Sequence, residues 1–391
     1  MAERADFLVI GGGIAGASVA AALAETADVA LLEREAQPGY HSTGRSAALY
    51  TETYGPPAIR GLTSASRAFL TAPPDGFADH DLLAPRGELV IAREGQEAAL
   101  EDAFATGAAR VPSLVRLGPE DARAIVPALR PEGLIGAIHE PHAMDIDVHG
   151  LHQGYLKLLR RRGGRVVCDA ELAGLDRAGG AWTARLADGR TVTAAIVVNA
   201  AGAWAEAVGA LAGAAPIGLV PKRRTAVTFA PWQDGAPLDP DSFKAWPMTV
   251  DVEEGFYFKP ETGKLLVSPA DETPAPASDI QPEELDIAVA IDRLEAATTL
   301  SARRLDHSWA GLRSFVPDKT PVVGYDDALD GFFWLAGQGG YGIQTAPALA
   351  ATAAALAIGG AVPDFVAAHG VGAADLAPAR LARVAAPEPV S

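Results

Sequence analysis

Cysteine is nearly absent from this chain of 391 residues, which contains Cys168 alone. A single thiol allows no internal disulfide and no cysteine-rich metal site. Histidine is also scarce, and His41, His139, His142 and His149 are not spaced with other ligands in the way that metal-binding residues usually are. We therefore expect no bound metal ion.

Basic residues are outnumbered, with 32 Lys and Arg against 49 Asp and Glu and a net charge of -17. Nucleic acids and anionic membranes are bound through basic surfaces, so neither is expected as a partner. The acidity would help to attract a cationic small molecule, although it equally serves solubility.

A long, uninterrupted apolar run is missing as well. Residues 7–24 carry no charge, but three consecutive glycines interrupt them, and Glu3 and Asp6 precede them where a signal peptide has positive charge. Residues 346–358 are apolar but shorter than the roughly 20 residues that a spanning helix needs. The sequence therefore predicts no integral membrane segment and a cytoplasmic protein.

What the chain does have is apolar content, at 49% of its residues, and two distinct patterns of secondary structure. An apolar strand at 7–10, a helix at 14–25 and a second strand at 29–33 form a βαβ pattern typical of a parallel sheet. Residues 221–269 contain short strands separated by Pro and Gly, which indicates an antiparallel sheet. We expect an α/β protein, α+β overall, with more than one domain.

The first glycine cluster matches the dinucleotide fingerprint. Gly11 permits the tight turn after the strand, Gly13 lets a pyrophosphate approach the backbone, and Gly16 lets the helix pack closely on the strand. Glu33 ends the second strand, where a carboxylate accepts hydrogen bonds from a ribose and disfavours a 2'-phosphate. The pattern predicts a dinucleotide other than NADP.

A second glycine cluster, GQGGYG at 337–342, also fits the fingerprint literally. The helix predicted after it, at 345–358, leads into another glycine turn and not into a strand that ends in an acid. A glycine loop at a helix N-terminus is better suited to the flavin end of the same cofactor, where the helix dipole stabilises negative charge. FAD is therefore favoured over NAD, and a simple glycine cap is the alternative.

Four segments in this order, VIGGGIAGAS, LLEREAQPGYHSTGRSAA, VVNAAGAWA and GQGGYGIQT, resemble the FAD-dependent D-amino-acid oxidase and dehydrogenase family. The likeness is strongest to the bacterial D-arginine dehydrogenases, through LHQGYL, PKRR and WAGLRSF, and it covers about residues 7–381. It implies an FAD-binding Rossmann-like domain interleaved with a substrate domain on an antiparallel sheet. The implied FAD-binding domain comprises residues 1–49, 148–217 and 305–391, and the substrate domain comprises 50–147 and 218–304.

The resemblance also implies the cofactor contacts, with FAD held without a covalent bond; His41 is the alternative point of attachment. The implied positions are Gly11, Gly13, Ala15, Gly16, Glu33, Arg34, Ser42, Thr43, Gly44, Arg45, Ser46, Ala47, Ala48, Leu49, Leu172, Gly339, Gly340, Tyr341, Gly342, Ile343 and Gln344. At Leu49 the D-arginine dehydrogenase pattern has a histidine, so a proton-handling role of that position is not carried over.

The substrate contacts implied by the resemblance are Tyr54, Glu88, Arg223, Tyr257, Arg313 and Gln344, with Met248 and Val250 as apolar wall. Arg313 and Tyr257 would hold the substrate carboxylate, and Glu88 would meet a basic side chain. The residue types suit these roles, because a guanidinium fork binds a carboxylate in bidentate fashion. From the residues alone, Arg313 could instead form an internal salt bridge and Glu88 could lie on the polar face of a strand.

The implied activity is oxidative deamination of D-amino acids, preferably D-arginine and D-lysine, with hydride transfer from Cα to the flavin N5. The imino acid formed would hydrolyse to a 2-oxo acid and ammonia, and a quinone, another carrier or oxygen would take the electrons. One alternative is oxidation of glycine, sarcosine or D-proline. Another, of a different class, is a non-catalytic or RNA-modifying flavoprotein.

Overall fold

The computed structural model of the protein describes residues 3–381. The other residues of the predicted first and last FAD-binding segments, 1–2 and 382–391, lie outside the described residues. Within residues 3–381 the strands are β1 (Glu3–Ile10), β2 (Val29–Leu32), β3 (Leu49–Tyr50), β4 (Leu83–Pro85), β5 (Glu88–Arg93), β6 (Val115–Leu117), β7 (Leu134–Glu140), β8 (Met144–Ile146), β9 (Arg165–Val167), β10 (Leu172–Ala178), β11 (Ala181–Leu186), β12 (Thr191–Asn199), β13 (Val220–Phe229), β14 (Pro231–Gln233), β15 (Ala236–Pro237), β16 (Met248–Asp251), β17 (Tyr257–Glu261), β18 (Lys264–Ser268), β19 (Thr273–Pro274), β20 (Leu300–Ala302), β21 (His307–Phe315), β22 (Val322–Tyr325) and β23 (Phe332–Ala336).

The α-helices of the same residues cover the sheets and join their strands. They are α1 (Ile14–Leu23), α2 (Pro57–Thr71), α3 (Glu97–Ala108), α4 (Pro119–Ile125), α5 (Val148–Arg161), α6 (Ala205–Ala212), α7 (Pro240–Phe243), α8 (Glu284–Ala297), α9 (Gly342–Ala357), α10 (Asp364–Ala367) and α11 (Ala373–Leu376). None of the described helices is long and apolar enough to cross a membrane.

The first sheet contains the N-terminal βαβ unit. Its order is β10-β11-β12-β1-β2-β9, with β23 beside the second half of β12 and β22 beside β23. The pairs β12–β1, β1–β2 and β2–β9 are parallel, and β2 is buried along its whole length. Apolar strands buried on both faces explain the uninterrupted apolar runs in the sequence. The βαβ prediction is confirmed.

The second sheet is largely antiparallel, in the order β19-β13-β18-β17-β16-β5-β7-β6, with β21 on the other side of β13. The pair β16–β5 is its parallel exception. The strand-rich reading of residues 221–269 is confirmed by β13, β16, β17 and β18. The two sheets together confirm the predicted mixed fold class. The division into domains at the stated residues stays a prediction; β21, from the last predicted FAD-binding segment, pairs with β13.

Helix α9 begins three residues earlier than the sequence predicted, at Gly342. The glycine loop therefore leads directly into its first turn. At the other end of the fold, β1, β2 and β12 are parallel and end together at Ile10, Leu32 and Asn199. Ligands of open parallel sheets bind beyond these carboxyl ends, so we expect a ligand site in the space between the two sheets.

Candidate functional site

One cavity of about 810 Å³ extends from the glycine turn after β1 to the second sheet. Its size lies toward the upper end of the range for cofactor and ligand pockets, roughly 300–1,000 Å³. The predicted cofactor positions that line it are Gly11, Gly13, Ala15, Glu33, Arg34, Ser42, Thr43, Arg45, Ser46, Ala47, Ala48, Leu49, Leu172, Gly339, Gly340, Gly342, Ile343 and Gln344. Gly16, Gly44 and Tyr341 are not among the residues that line it.

The turn after β1 is possible only with glycine at two positions. Gly11 has φ of +104°, and a Cβ atom there would lie 2.5 Å from the backbone oxygen of Ala200. A Cβ atom on Gly16 would collide with the backbone oxygen of Gly11. The turn therefore brings the N-terminus of α1 against the cavity, where its N–H groups and dipole favour a phosphate.

Two side chains hold this turn in place. The buried carboxylate of Glu33 accepts the Gly12 N–H at 2.8 Å and the Glu35 N–H at 2.9 Å. The buried ring of His152 on α5 lies 2.8 Å from the Gly12 backbone oxygen through Nε2. His152 was not found from the sequence, because nothing in its own helix marks a contact with a turn so far away along the chain.

The end of the cavity beside Glu33 offers flat surfaces for a base. The guanidinium of Arg34 lies 5.0 Å from the centre of the Trp204 ring, and the His41 ring lies 4.6 Å from the same tryptophan. His41 also contacts Glu35 at 2.9 Å. Leu172, the first residue of β10, completes this wall.

The segment 42–48 lies along the middle of the cavity and is fastened to β21. Ser42 Oγ donates to the backbone oxygen of Leu312 at 2.6 Å, and Arg45 donates to that of Ala310 at 3.0 Å. Trp309 Nε1 in turn donates to the Arg45 backbone oxygen at 3.1 Å. These contacts join residues distant in sequence into one continuous wall.

The opposite wall is the glycine loop before α9. A Cβ atom on Gly340 would collide with the guanidinium of Arg313, so glycine is required for that side chain to lie against the loop. The buried Gln344 donates to Thr63 Oγ1 at 3.0 Å, which fixes the first turn of α9 against α2. The N-terminal end of a sixteen-residue helix thus points at the cavity.

Arg313 presents a positive charge to the cavity. Its Nη1 donates to the Tyr54 hydroxyl oxygen at 3.4 Å, and no carboxylate among residues 3–381 forms a salt bridge with it. Burial would lower the pKa of Arg313, but the Tyr54 and Tyr257 hydroxyls and the Glu254 carboxylate outweigh this and raise it, so the guanidinium stays charged. The internal salt bridge considered from the sequence is therefore not formed by the described residues.

Arg223 does not line the cavity. This side chain is bound by Asp286 at 2.8 Å and by Glu283, on the face of the second sheet away from the cavity. Successive side chains of a strand point to opposite faces, so the next residue, Arg224, faces the cavity in its place. Arg224 is buried, its Nε donates to the Asp271 backbone oxygen at 2.9 Å, and its Nη2 lies 3.6 Å from the Glu272 carboxylate.

The remaining predicted substrate residues share one face of the second sheet. Glu88 and Met248 are opposite one another in register, as are Val250 and Tyr257 on the adjacent pair of strands. All four line the cavity. Glu88 is 7% exposed, and its Oε2 lies 2.8 Å from Thr51 Oγ1. Burial raises the pKa of Glu88 to about 8, and the nearby Glu140 carboxylate adds to the rise.

Sequence reasoning also missed Glu140 and Glu254. Glu140 is opposite Glu88 in the β5–β7 register, which no local pattern reveals. Glu254 lies in the turn between β16 and β17 at φ of +56°, and it accepts the Tyr54 hydroxyl at 3.4 Å. The acid-rich, glycine-containing turn EEG at 253–255 was the one available signal for Glu254.

The residues fit an FAD molecule. The glycine turn leaves room where any Cβ atom would intrude, a buried carboxylate stands at the end of β2, and a second helix N-terminus lies along the same cavity. No group of three or more His, Cys, Asp or Glu residues within 3–381 could hold a metal ion.

Comparison with known proteins agrees with this geometry. Residues 6–356 match the model of the family described as FAD dependent oxidoreductase. The L-proline dehydrogenase of P. horikoshii has a similar structure, with a TM-score of 0.78 at 22% identity over 97% of this chain and 98% of that one. Glycine oxidase from Geobacillus kaustophilus also has a similar structure, with a TM-score of 0.76 at 21% identity over 92% of this chain and 95% of that one.

A third similar structure is the L-alpha-glycerophosphate oxidase of Mycoplasma pneumoniae with FAD bound, with a TM-score of 0.80 at 17% identity over 91% of this chain and 95% of that one. The prediction of FAD as the cofactor is confirmed by the family match. With most of its length matched, the chain belongs to the family of FAD-dependent oxidoreductases.

Proposed function

We propose that this protein oxidises D-amino acids with cationic side chains, D-arginine and D-lysine above all, to imino acids. The observation that carries the proposal is that one cavity holds both Arg313, without a carboxylate partner among the described residues, and the buried acid Glu88. A carboxylate at one end of a substrate would be bound by Arg313, and a cation at the other end by the Glu88 carboxyl group.

Arg313 would anchor the substrate carboxylate. Its fork suits bidentate binding, and the Tyr54 and Tyr257 hydroxyls lie close enough to influence its charge and to complete a cradle. Arg224, whose Nη2 lies 3.6 Å from the Glu272 carboxylate, adds a second guanidinium to the same wall. Anchoring at this end fixes the position of Cα, and such orientation accounts for a large part of the rate in reactions of this kind.

The opposite end of the substrate would lie on Met248 and Val250 and reach Glu88. Leu49, also on the cavity wall, adds apolar surface and no charge. When bound in the cavity, FAD supplies the acceptor for the hydride that leaves Cα. The protein's residues hold the substrate, exclude water and keep the glycine loop of α9 against the site.

The relatives that are named for amine substrates support amine oxidation in general but favour a second substrate class. Two of them are named for proline and glycine, which are small or cyclic amines without a cationic side chain. A preference for glycine, sarcosine or D-proline is therefore the competing proposal. A protein with FAD and no turnover of any amine would point to the non-catalytic class.

The test is a steady-state comparison with a dye as electron acceptor and, separately, with oxygen. D-arginine and D-lysine are compared with D-norleucine, L-arginine, sarcosine and D-proline. We expect kcat/KM for D-arginine to exceed that for D-norleucine by about ten- to a hundred-fold, the worth of a charge-assisted hydrogen bond.

The Glu88→Gln variant should lose the preference for D-arginine and retain its activity with D-norleucine. Glu253→Gln, which changes an exposed carboxylate, is the control and should keep the preference for D-arginine. Preference for sarcosine or D-proline in the wild type would refute the proposal.

A further inference from the structure

The acid Glu88 does not stand alone at its end of the cavity. Glu140 on β7 is opposite it in register, and the two are 7% and 4% exposed. Both line the cavity, together with Thr51 and Thr53. Two ionised carboxylates so close and so far from water would repel each other strongly. The arrangement of hydrogen bonds around them indicates how this repulsion is avoided.

The hydroxyl of Thr51 lies between the two acids. Its Oγ1 is 2.8 Å from Glu88 Oε2 and 2.9 Å from Glu140 Oε2, while the Thr53 hydroxyl is 2.8 Å from the same Glu140 oxygen. A hydroxyl has one proton to donate, so Thr51 satisfies only one of its two acids as a donor. The other contact needs a proton on the acid itself.

The surroundings decide which acid holds that proton. Glu140 accepts the Glu52 backbone N–H at 3.0 Å in addition to the threonine hydroxyls, and such donors stabilise the ionised form. The donors beside Glu88 are the hydroxyls of Thr51 and Thr53, with no backbone N–H from the described residues. This difference favours the proton on Glu88, which would then donate to Thr51 Oγ1 while Thr51 donates to Glu140.

We propose that Glu140 is a positioning and specificity-determining residue that shares one proton with Glu88 through Thr51, and that binding of a single cationic group releases this proton. The inference rests on the proposed function, because it concerns the same cationic substrate. In the free protein the pair carries one negative charge. When a guanidinium or ammonium group reaches Glu88, the O–H bond of its carboxyl breaks, the proton passes to solvent, and both acids are then ionised against the cation.

The electrostatics of the site agree with this proton count. The pKa of Glu88 is raised mainly by burial and then by the charge of Glu140. The pKa of Glu140 is also raised by burial, which outweighs the hydrogen bonds that lower it. The other ionisable groups that act on the pair are Glu254, Glu52 and Tyr50, and Arg67 forms an ion pair with Glu52 at 3.2 Å. The nearby acids add to the tendency of the pair to keep a proton at neutral pH.

The consequence is a pH dependence of binding that only a cationic ligand shows. δ-Guanidinovalerate has a carboxylate and a guanidinium but no α-amine, so it binds without being oxidised. Neither of its charges titrates between about pH 6 and pH 9. Its Kd for the FAD-loaded protein, followed by the flavin spectrum, should fall about tenfold per pH unit up to about pH 8 and then level off. Heptanoate, which extends as far as the position of the guanidinium carbon but lacks the cation, should show no such slope.

Three variants separate the possible outcomes. Glu140→Gln removes the repelling charge, so Glu88 ionises at lower pH and the slope for δ-guanidinovalerate should flatten across this range. The exposed control Glu253→Gln should keep the wild-type slope. Glu88→Gln should bind δ-guanidinovalerate no better than heptanoate at any pH.

A measurement on the wild type alone keeps the inference testable if Glu140→Gln does not fold. Titration calorimetry near pH 7 in two buffers of different ionisation enthalpy should find about one proton released per δ-guanidinovalerate and none per heptanoate. No proton release, or an unchanged slope in a folded Glu140→Gln, overturns the inference while leaving the proposed function intact. If δ-guanidinovalerate binds no better than heptanoate and Glu88→Gln changes neither, the proposed function itself fails.

Discussion

Replacing Arg313 with alanine should remove most of the activity and leave the fold and the cofactor in place. In the free protein the guanidinium forms no salt bridge with the described carboxylates, and its contact with Tyr54 is long, at 3.4 Å. Its removal therefore leaves no acid without a partner, and the free energy of unfolding should change little. The loss falls on the substrate, whose carboxylate would no longer have a charged anchor.

The size of that loss follows from the enclosure of the site. Truncating one partner of a buried, hydrogen-bonded charge pair costs about 2–5 kcal/mol, which corresponds to about 30- to 4,000-fold in kcat/KM. Arg313→Lys keeps the charge but not the fork, so its loss should be intermediate. The assay is kcat/KM for D-arginine with a dye acceptor, with bound FAD measured from the absorbance of the purified protein.

Two results would refute this reasoning. Near-normal kcat/KM in Arg313→Ala would mean that another group holds the carboxylate. The guanidinium of Arg224 is the chemically similar candidate. Loss of FAD or of thermal stability in the variant would mean that Arg313 supports the fold, and the change in activity would then say nothing about substrate binding.

Three further outcomes are expected. The folded protein keeps a proton on Glu88 that the unfolded chain loses near the ordinary pKa of a glutamate. The free energy of unfolding should therefore fall as the pH rises from that ordinary pKa to about 8, by up to about 1.4 kcal/mol per pH unit. Glu88→Gln should remove this fall in thermal unfolding curves, and an unchanged pH dependence in the variant would contradict the buried proton. Gly340→Ala should displace the Arg313 guanidinium and lower kcat/KM for D-arginine by about 100-fold with FAD retained, and full activity would be the contrary result. Acid or heat should release the FAD into the supernatant, whereas flavin that stays with the denatured chain would identify an attachment such as His41.

The cofactor end of the site was predictable because its information is local. The glycine turn, the helix after it and the acid at the end of the second strand all lie within residues 7–33, and the structure brings them together around Glu33. In such a unit the backbone conformation and the motif determine each other, so spacing alone indicates the geometry.

The substrate end depends on pairings between distant strands, which spacing does not reveal. The choice between Arg223 and Arg224 depends on which face of β13 meets the cavity, and a shift of one residue reverses it. Glu140 becomes a neighbour of Glu88 only through the register of β5 and β7. Its partner threonine, Thr51, comes from a loop outside that sheet. These relationships are set by the tertiary structure.

The most direct test of the account is a crystal structure of the FAD-loaded protein with δ-guanidinovalerate bound. We expect the carboxylate on Arg313, within hydrogen-bond distance of the Tyr54 and Tyr257 hydroxyls, and the guanidinium on the Glu88 carboxylate. A ligand bound in the opposite direction, or one whose guanidinium lies away from Glu88, would contradict the assignment of the two ends of the cavity.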